Sequence, residues 1–175
     1  MSITFHPDGR VTGSGAANFG SSGQVIQTVF GTNGESSGSS VDISGSVSSP
    51  TFFDSNCKVT ITPKRSNSKI MLTWTAQVRL NPATYGYVGV FYSSSSNMSS
   101  PTPVEKYRGG SLNESYRIVR DDNYDFSVVS NVAWDETITN TNTRYYNVAG
   151  YATAGNIYYG DHGTALQLIA QEIAA

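Results

Sequence analysis

The sequence predicts an all-β chain, an antiparallel β-sandwich or jelly roll with an extended N-terminal arm. Three observations predict it. Apolar residues recur at every second position over many short stretches, the period of a half-buried strand. Only 14% of residues are charged, while Gly, Ser, Thr, Asn and Tyr abound, a composition of strands and turns. No long helical pattern alternates with the strands, which argues against an α/β fold.

At 175 residues, one domain with a sizeable core is expected. We divide it into an attachment arm, residues 1–23, and a sandwich domain, residues 24–175. In the arm, Ser2–Phe5 suits a very short strand and Pro7-Asp8-Gly9 a turn. Residues 12–23 are mostly Gly, Ser and Ala, too poor in apolar surface to offset the entropy of ordering alone. Ile3, Phe5 and Phe19 are the candidate anchors to a larger particle.

Gln24–Phe30 reads as a strand with apolar residues on both faces, so its core-facing side stays open. Residues 31–40 form a Gly/Ser loop, and Val41–Val47 and Thr51–Phe53 are extended candidates. Cys57–Leu80 carries the clearest signal. Cys57, Val59 and Ile61 share one face; Ile70, Leu72, Trp74, Ala76, Val78 and Leu80 share another. The polar Pro63–Lys69 between them predicts a β-hairpin. Thr84–Tyr92 is a strand whose glycines suggest a bulge or close packing. Val104–Gly110 is a weak strand. Tyr116–Val119, Tyr124–Ala133, Arg144–Thr153 and Gly155–Tyr159 follow. Thr164–Ile173 fits either a helix or a strand by period, and the all-β setting selects strand. The total is roughly eight to ten short strands separated by turn signals.

The charge balance is near neutral, with Lys+Arg 11 against Asp+Glu 13 and a formal net charge of −2. No basic block stands out, so nucleic acid is not an expected partner. No apolar run reaches the length of a membrane span, so no membrane insertion is expected. The start, MSITFHPDGR, has neither the basic opening nor the apolar segment of a signal peptide, so synthesis in the cytosol is expected. One cysteine excludes an internal disulfide and a cysteine zinc cage. Cys57 sits on an apolar face and reads as a small buried hydrophobe.

Three stretches carry a resemblance. They are Gln24-Val25-Ile26-Gln27, then Val59-Thr60-Ile61-Thr62-Pro63 with Ser66-Asn67-Ser68-Lys69-Ile70-Met71-Leu72, and the closing Ala165-Leu166-Gln167-Leu168 with Glu172-Ile173-Ala174-Ala175. In this order they resemble the small β-sandwich domain at the C-terminal end of many marine and cyanobacterial phage fibre proteins. The resemblance spans residues 24–175 and is best marked in the hairpin and the tail. It implies a homotrimeric virion protein that contacts other tail or capsid proteins and, through outer loops, a host surface glycan. It implies no cofactor and no metal. The chain departs from long fibres in having no heptad shaft. A short tail fibre or a capsid decoration protein held by its arm are the two placements this allows.

Catalytic patterns are weak. Gly34-Glu35-Ser36-Ser37-Gly38 spells G-x-S-x-G, but Ser/Gly loop follows it where a nucleophile elbow needs a helix. His162 beside Asp161 reads as a polar turn, and His6 precedes Pro7 in the arm. The acids Asp121, Asp122 and Asp125, and Asp135 with Glu136, lack EF-hand spacing and read as solvated turns rather than calcium ligands or a glycosidase pair. No catalytic residue is expected. The eleven tyrosines are the more informative surplus. Most suit strands by propensity alone. Tyr145-Tyr146 and Tyr158-Tyr159 put one ring on each side of a sheet, and these four are the candidates for subunit or outer-surface contacts. The competing functions are thus a virion structural protein, a free carbohydrate-binding module and, with least support, a small hydrolase.

Overall fold

Two antiparallel sheets face each other across a shared core in the computed structural model. It describes residues 3–5, 11–13, 22–31, 41–43, 49–81, 85–104, 117–119, 127–136, 138–152, 156–159 and 166–175. The strands are β1 (Ile3–Phe5), β2 (Val11–Gly13), β3 (Val25–Phe30), β4 (Val41–Ile43), β5 (Thr51–Phe52), β6 (Val59–Ile61), β7 (Lys69–Asn81), β8 (Tyr85–Ser93), β9 (Thr102–Pro103), β10 (Arg117–Val119), β11 (Ser127–Asp135), β12 (Arg144–Ala152), β13 (Asn156–Tyr159) and β14 (Gln167–Ile173). A 3₁₀ turn, Ser55–Cys57, is capped by Asp54, whose Oδ1 accepts from the Asn56 amide at 2.7 Å. No α-helix occurs among the described residues. The chain is an all-β sandwich.

One sheet is built on β7. Its Lys69–Thr75 half pairs with β14 and its Val78–Asn81 half with β13, while β11 pairs along the other edge. β3 extends the sheet beyond β14, and β4 beyond β13. The other sheet is built on β12, which pairs with β8 on one edge and with β5 and β6 on the other. β9 and β10 add to β8. β1 and β2 form a separate two-stranded ladder, with Ile3 opposite Gly13 and Phe5 opposite Val11.

The alternation of β7 works as its pattern predicts. Ile70, Leu72, Trp74, Ala76 and Val78 are all fully buried. They meet Val59, Ile61, Val88, Val90, Tyr146 and Val148 from the β12 sheet and Leu166, Leu168 and Ala170 from the tail segment. Burying a side chain of Val, Leu or Ile size contributes about 1.5–3 kcal/mol, so this interior is the main source of stability. Residues 167–173 are a strand, as the all-β setting selects.

Two expectations are corrected. β6 and β7 do not form a hairpin. β6 pairs with β12, with Ile61 opposite Arg144 and Val59 opposite Tyr146, so the two strands lie in opposite walls. A two-residue period shows which way side chains point, not which strand lies alongside. Both apolar faces here point inward, and residues 62–68 cross between the sheets. Nor do the glycines of β8 mark a bulge, since its register with β12 runs unbroken from Gly86 to Ser93. Close approach does occur at Gly150 of β12. A Cβ there would lie 2.9 Å from the Phe53 ring and 2.9 Å from the Tyr87 carbonyl oxygen.

The crossing is fixed by a buried carboxylate. Glu172 on β14 is fully buried. Its oxygens accept from the Lys64 amide at 2.8 and 2.9 Å, the Arg65 amide at 3.1 Å, the Ser68 hydroxyl at 2.7 Å and the Gln27 amide nitrogen at 2.6 Å. These donors offset the cost of removing the charge from water.

Candidate association face

The inner and outer faces of the β7 sheet differ in what covers them. Register aligns the outward residues in rows. Phe30, Ile169, Thr73 and Val132 form one row across β3, β14, β7 and β11. Thr28, Gln171, Met71 and Trp134 form the next. Val25, Ile173 and Lys69 lie beyond them at one end. Val128 lies opposite Gln77 towards the other. Among the described residues, the exposed large hydrophobic side chains are Val25, Phe30, Val128, Val132 and Trp134, and all of them belong to β3 and β11, the two margins of this face. Phe30 and Val128 are 69% and 70% exposed, and with Val25, Val132 and Trp134 they put five exposed large hydrophobic side chains on one face.

Some polar groups on the face pair with one another, while Gln77 Oε1 finds no partner among the described residues. Thr75 Oγ1 donates to Ser130 Oγ at 3.0 Å, and Ser130 Oγ donates to the Trp74 carbonyl at 3.2 Å. Charges sit only at its ends. Lys69 Nζ meets Glu136 Oε1 at 2.7 Å, and the Arg79 guanidinium lies 4.8 Å from the centre of the Tyr158 ring. An uncharged centre with a charged rim is the composition of an association surface.

The candidate residues divide. Tyr145 and Tyr158 face out and are half-buried, Tyr145 with Lys58 Nζ 5.6 Å from its ring centre. Tyr146 and Tyr159 are 0% and 1% exposed, so their proposed role in outer or subunit contacts is corrected: both belong to the subunit's own core. The Tyr146 hydroxyl donates to Asp135 Oδ2 at 2.7 Å, which also accepts from Arg144 Nη1 at 2.7 Å. Burial, and then the Asp135 charge, push the Tyr146 phenol far above its ordinary value. Burial pushes Tyr159 up to about 12, with the Asp54 charge adding. Tyr159 stacks on Phe53 at 4.8 Å. Ile3 and Phe5 lie on β1; Phe19 lies outside the described residues.

Cys57 is fully buried, with Sγ 3.6 Å from the Leu166 carbonyl oxygen, and burial pushes its thiol up to about 12. Asp135 and Glu136 are each bound to a cation, Arg144 and Lys69, rather than to each other. No group of three His, Cys, Asp or Glu side chains among the described residues could hold a metal ion. Residues 34–38, His6, Asp121, Asp122, Asp125, Asp161 and His162 lie outside the described residues.

Phe30, Val128, Val132 and Trp134 were missed as functional candidates by the sequence reading. The signal was present. QVIQTVF and SVVSNVAWD carry apolar residues on both faces, which a strand needs only when both faces meet something apolar. No family model matches the chain, and no curated protein matches it.

Proposed function

We propose that the chain is a structural protein of a tailed-phage virion, a short homotrimeric tail fibre or receptor-binding appendage, attached by its arm, residues 1–23. It works by binding, without turnover. The observation that carries this reading is the outer face of the β7 sheet, where exposed Val25, Phe30, Val128, Val132 and Trp134 stand on β3 and β11 and the described residues between them carry no charge. Four strands about 4.8 Å apart, with six, seven, nine and nine residues at about 3.3 Å each, give a flat footprint of about 500 Å². The corrugated accessible area is larger, close to the roughly 800 Å² that each partner buries in a stable protein interface. A subunit of a closed oligomer needs such a face.

The arm's departure point supports the reading. Gly23, at φ 87°, donates to the Ala174 carbonyl at 2.8 Å, and the Ala174 amide donates to the Gln24 carbonyl at 2.8 Å. The leading strip therefore enters the sandwich at a clamp beside the last strand.

Gold-labelled antibody against the purified chain, imaged on virions, tests the assignment. Label on the tail is expected. Label confined to the head would redirect the reading to capsid decoration, and unlabelled particles would end it.

A further inference from the structure

We infer that a cleft along the β11 edge binds a neutral oligosaccharide. This deepens the receptor-binding part of the reading above and rests on it; the cleft is lined by Val132, Trp134, Lys69 and Glu136 at the margin of the association face and by Gly23 and Ala174 beside the arm's clamp. The cleft has a volume of about 980 Å³ and runs between β11 and the short β9 of the opposite sheet. That lies at the upper end of the roughly 300–1,000 Å³ typical of small-molecule sites, and suits several sugar rings. Among the described residues, β11 pairs only with β7, so its second edge faces the cleft.

Chemistry narrows the ligand. Trp134, 43% exposed, offers an indole at the lip. An aromatic face packs on the C–H face of a pyranose while leaving the hydroxyls free. Polar groups for those hydroxyls stand beside it: the Asn131 amide, the Glu136 carboxylate and the Lys69 ammonium all line the same space. Tyr92 and Pro103 close the opposite wall. The charges balance locally. Lys69 meets Glu136 at 2.7 Å, and the Asp135 carboxylate meets Arg144 at 2.7 Å. An acidic or phosphorylated ligand would meet no uncompensated cation there, whereas a neutral polyol can both donate to Glu136 and accept from Lys69 or Asn131.

The position matters as well. Trp134 and Glu136 sit at the end of the association face where its charged rim begins, opposite Met71 and beside Lys69. A partner covering the Phe30–Val132 row leaves this corner at the margin of the contact. The site thus places sugar recognition on the side of the sandwich, not at loop tips.

The chain reports its own occupancy. It has two tryptophans, of which Trp74 is fully buried in the core and Trp134 is exposed. Full-length protein is titrated with neutral trisaccharides of glucose, galactose, mannose and N-acetylglucosamine, followed by tryptophan emission and by calorimetry. At least one is expected to shift the Trp134 emission to shorter wavelength with a Kd of about 0.1–1 mM. Trp134→Leu should abolish the calorimetric signal, and Glu136→Gln and Asn131→Ala should each weaken it about tenfold. Far-ultraviolet circular dichroism of each variant checks folding. Phe30→Asp should remove self-association and leave sugar binding intact, which separates failure of this site from failure of the association face. No binding by any trisaccharide at about 20 mM, or undiminished binding by folded Trp134→Leu, would overturn the inference.

Discussion

The two sheets share one core yet end differently on their outer faces. On the β12 sheet the outward row positions Phe91, Asn147, Ala149 and Tyr151 are 2%, 1%, 0% and 9% exposed. The chain covers them itself. Asn147 Nδ2 donates to the Asp54 carbonyl at 2.9 Å, Tyr87 stacks on Tyr151 at 4.8 Å, and Lys58 reaches the Ser96 carbonyl of the loop that carries buried Met98. On the β7 sheet the equivalent face leaves Phe30, Val128, Val132 and Trp134 open. The difference teaches that outward-facing apolar residues have two meanings in one molecule. On one wall they pack under the chain's own loops; on the other they stand exposed among the described residues.

A charge placed on each face is the sharpest way to break this contrast. Ala149→Asp puts an unpaired carboxylate into a covered site, and an uncompensated buried charge costs about 3–5 kcal/mol. Chemical denaturation should show that loss as a lower midpoint. Were the variant as stable as the parent, the β12 face would not be covered. Next in size is the crossing between the sheets. Glu172→Ala leaves the Lys64 and Arg65 amides without their acceptor and takes one from Ser68 and Gln27, which keep the Arg65 and Thr62 carbonyls, a loss of about 3 kcal/mol. Glu172→Gln should lie between, because it keeps one acceptor oxygen and loses the charge.

Alkaline pH probes the interior that both sheets share. Cys57 and Tyr159 are each raised to about 12, from ordinary values of 9.0 and 10.0. Raised values mean that the unfolded chain loses these protons first. Stability from them is full below pH 9 and is lost as pH climbs towards 12. Each group costs about 1.4 kcal/mol per pH unit between its two values. Unfolding free energy should therefore fall from about pH 9 upwards. A curve flat to pH 11 would place these groups nearer solvent. The smallest expected change is Val132→Asp on the open face. It should shift subunit stability by no more than about 0.5 kcal/mol, as surface substitutions do.

How much of this was legible depends on what each signal measures. The alternation of Ile70, Leu72, Trp74, Ala76 and Val78 fixes which way side chains point, and all of them are buried. The same alternation in Val59 and Ile61 predicted burial correctly but not the neighbour, because strand pairing depends on the path of the connection. Residues 62–68 take that path from Glu172, over a hundred positions later, and no local pattern reports so distant a contact. The Tyr145-Tyr146 and Tyr158-Tyr159 pairs revealed that one ring of each faces out, not which one. Asp135 read as a solvated acid because its cation, Arg144, enters from another strand. The association face was half legible: QVIQTVF showed apolar residues on both sides, but only the register brings Phe30 and Val132 into one row.

Sedimentation equilibrium of the full-length protein, alone and as the Phe30→Asp/Val132→Asp double variant, tests the central claim most directly. The account predicts a trimer for the parent at about 10 µM, and for the variant a folded monomer whose melting temperature no longer depends on protein concentration. A monomeric parent, or a variant that stays fully trimeric, would contradict it.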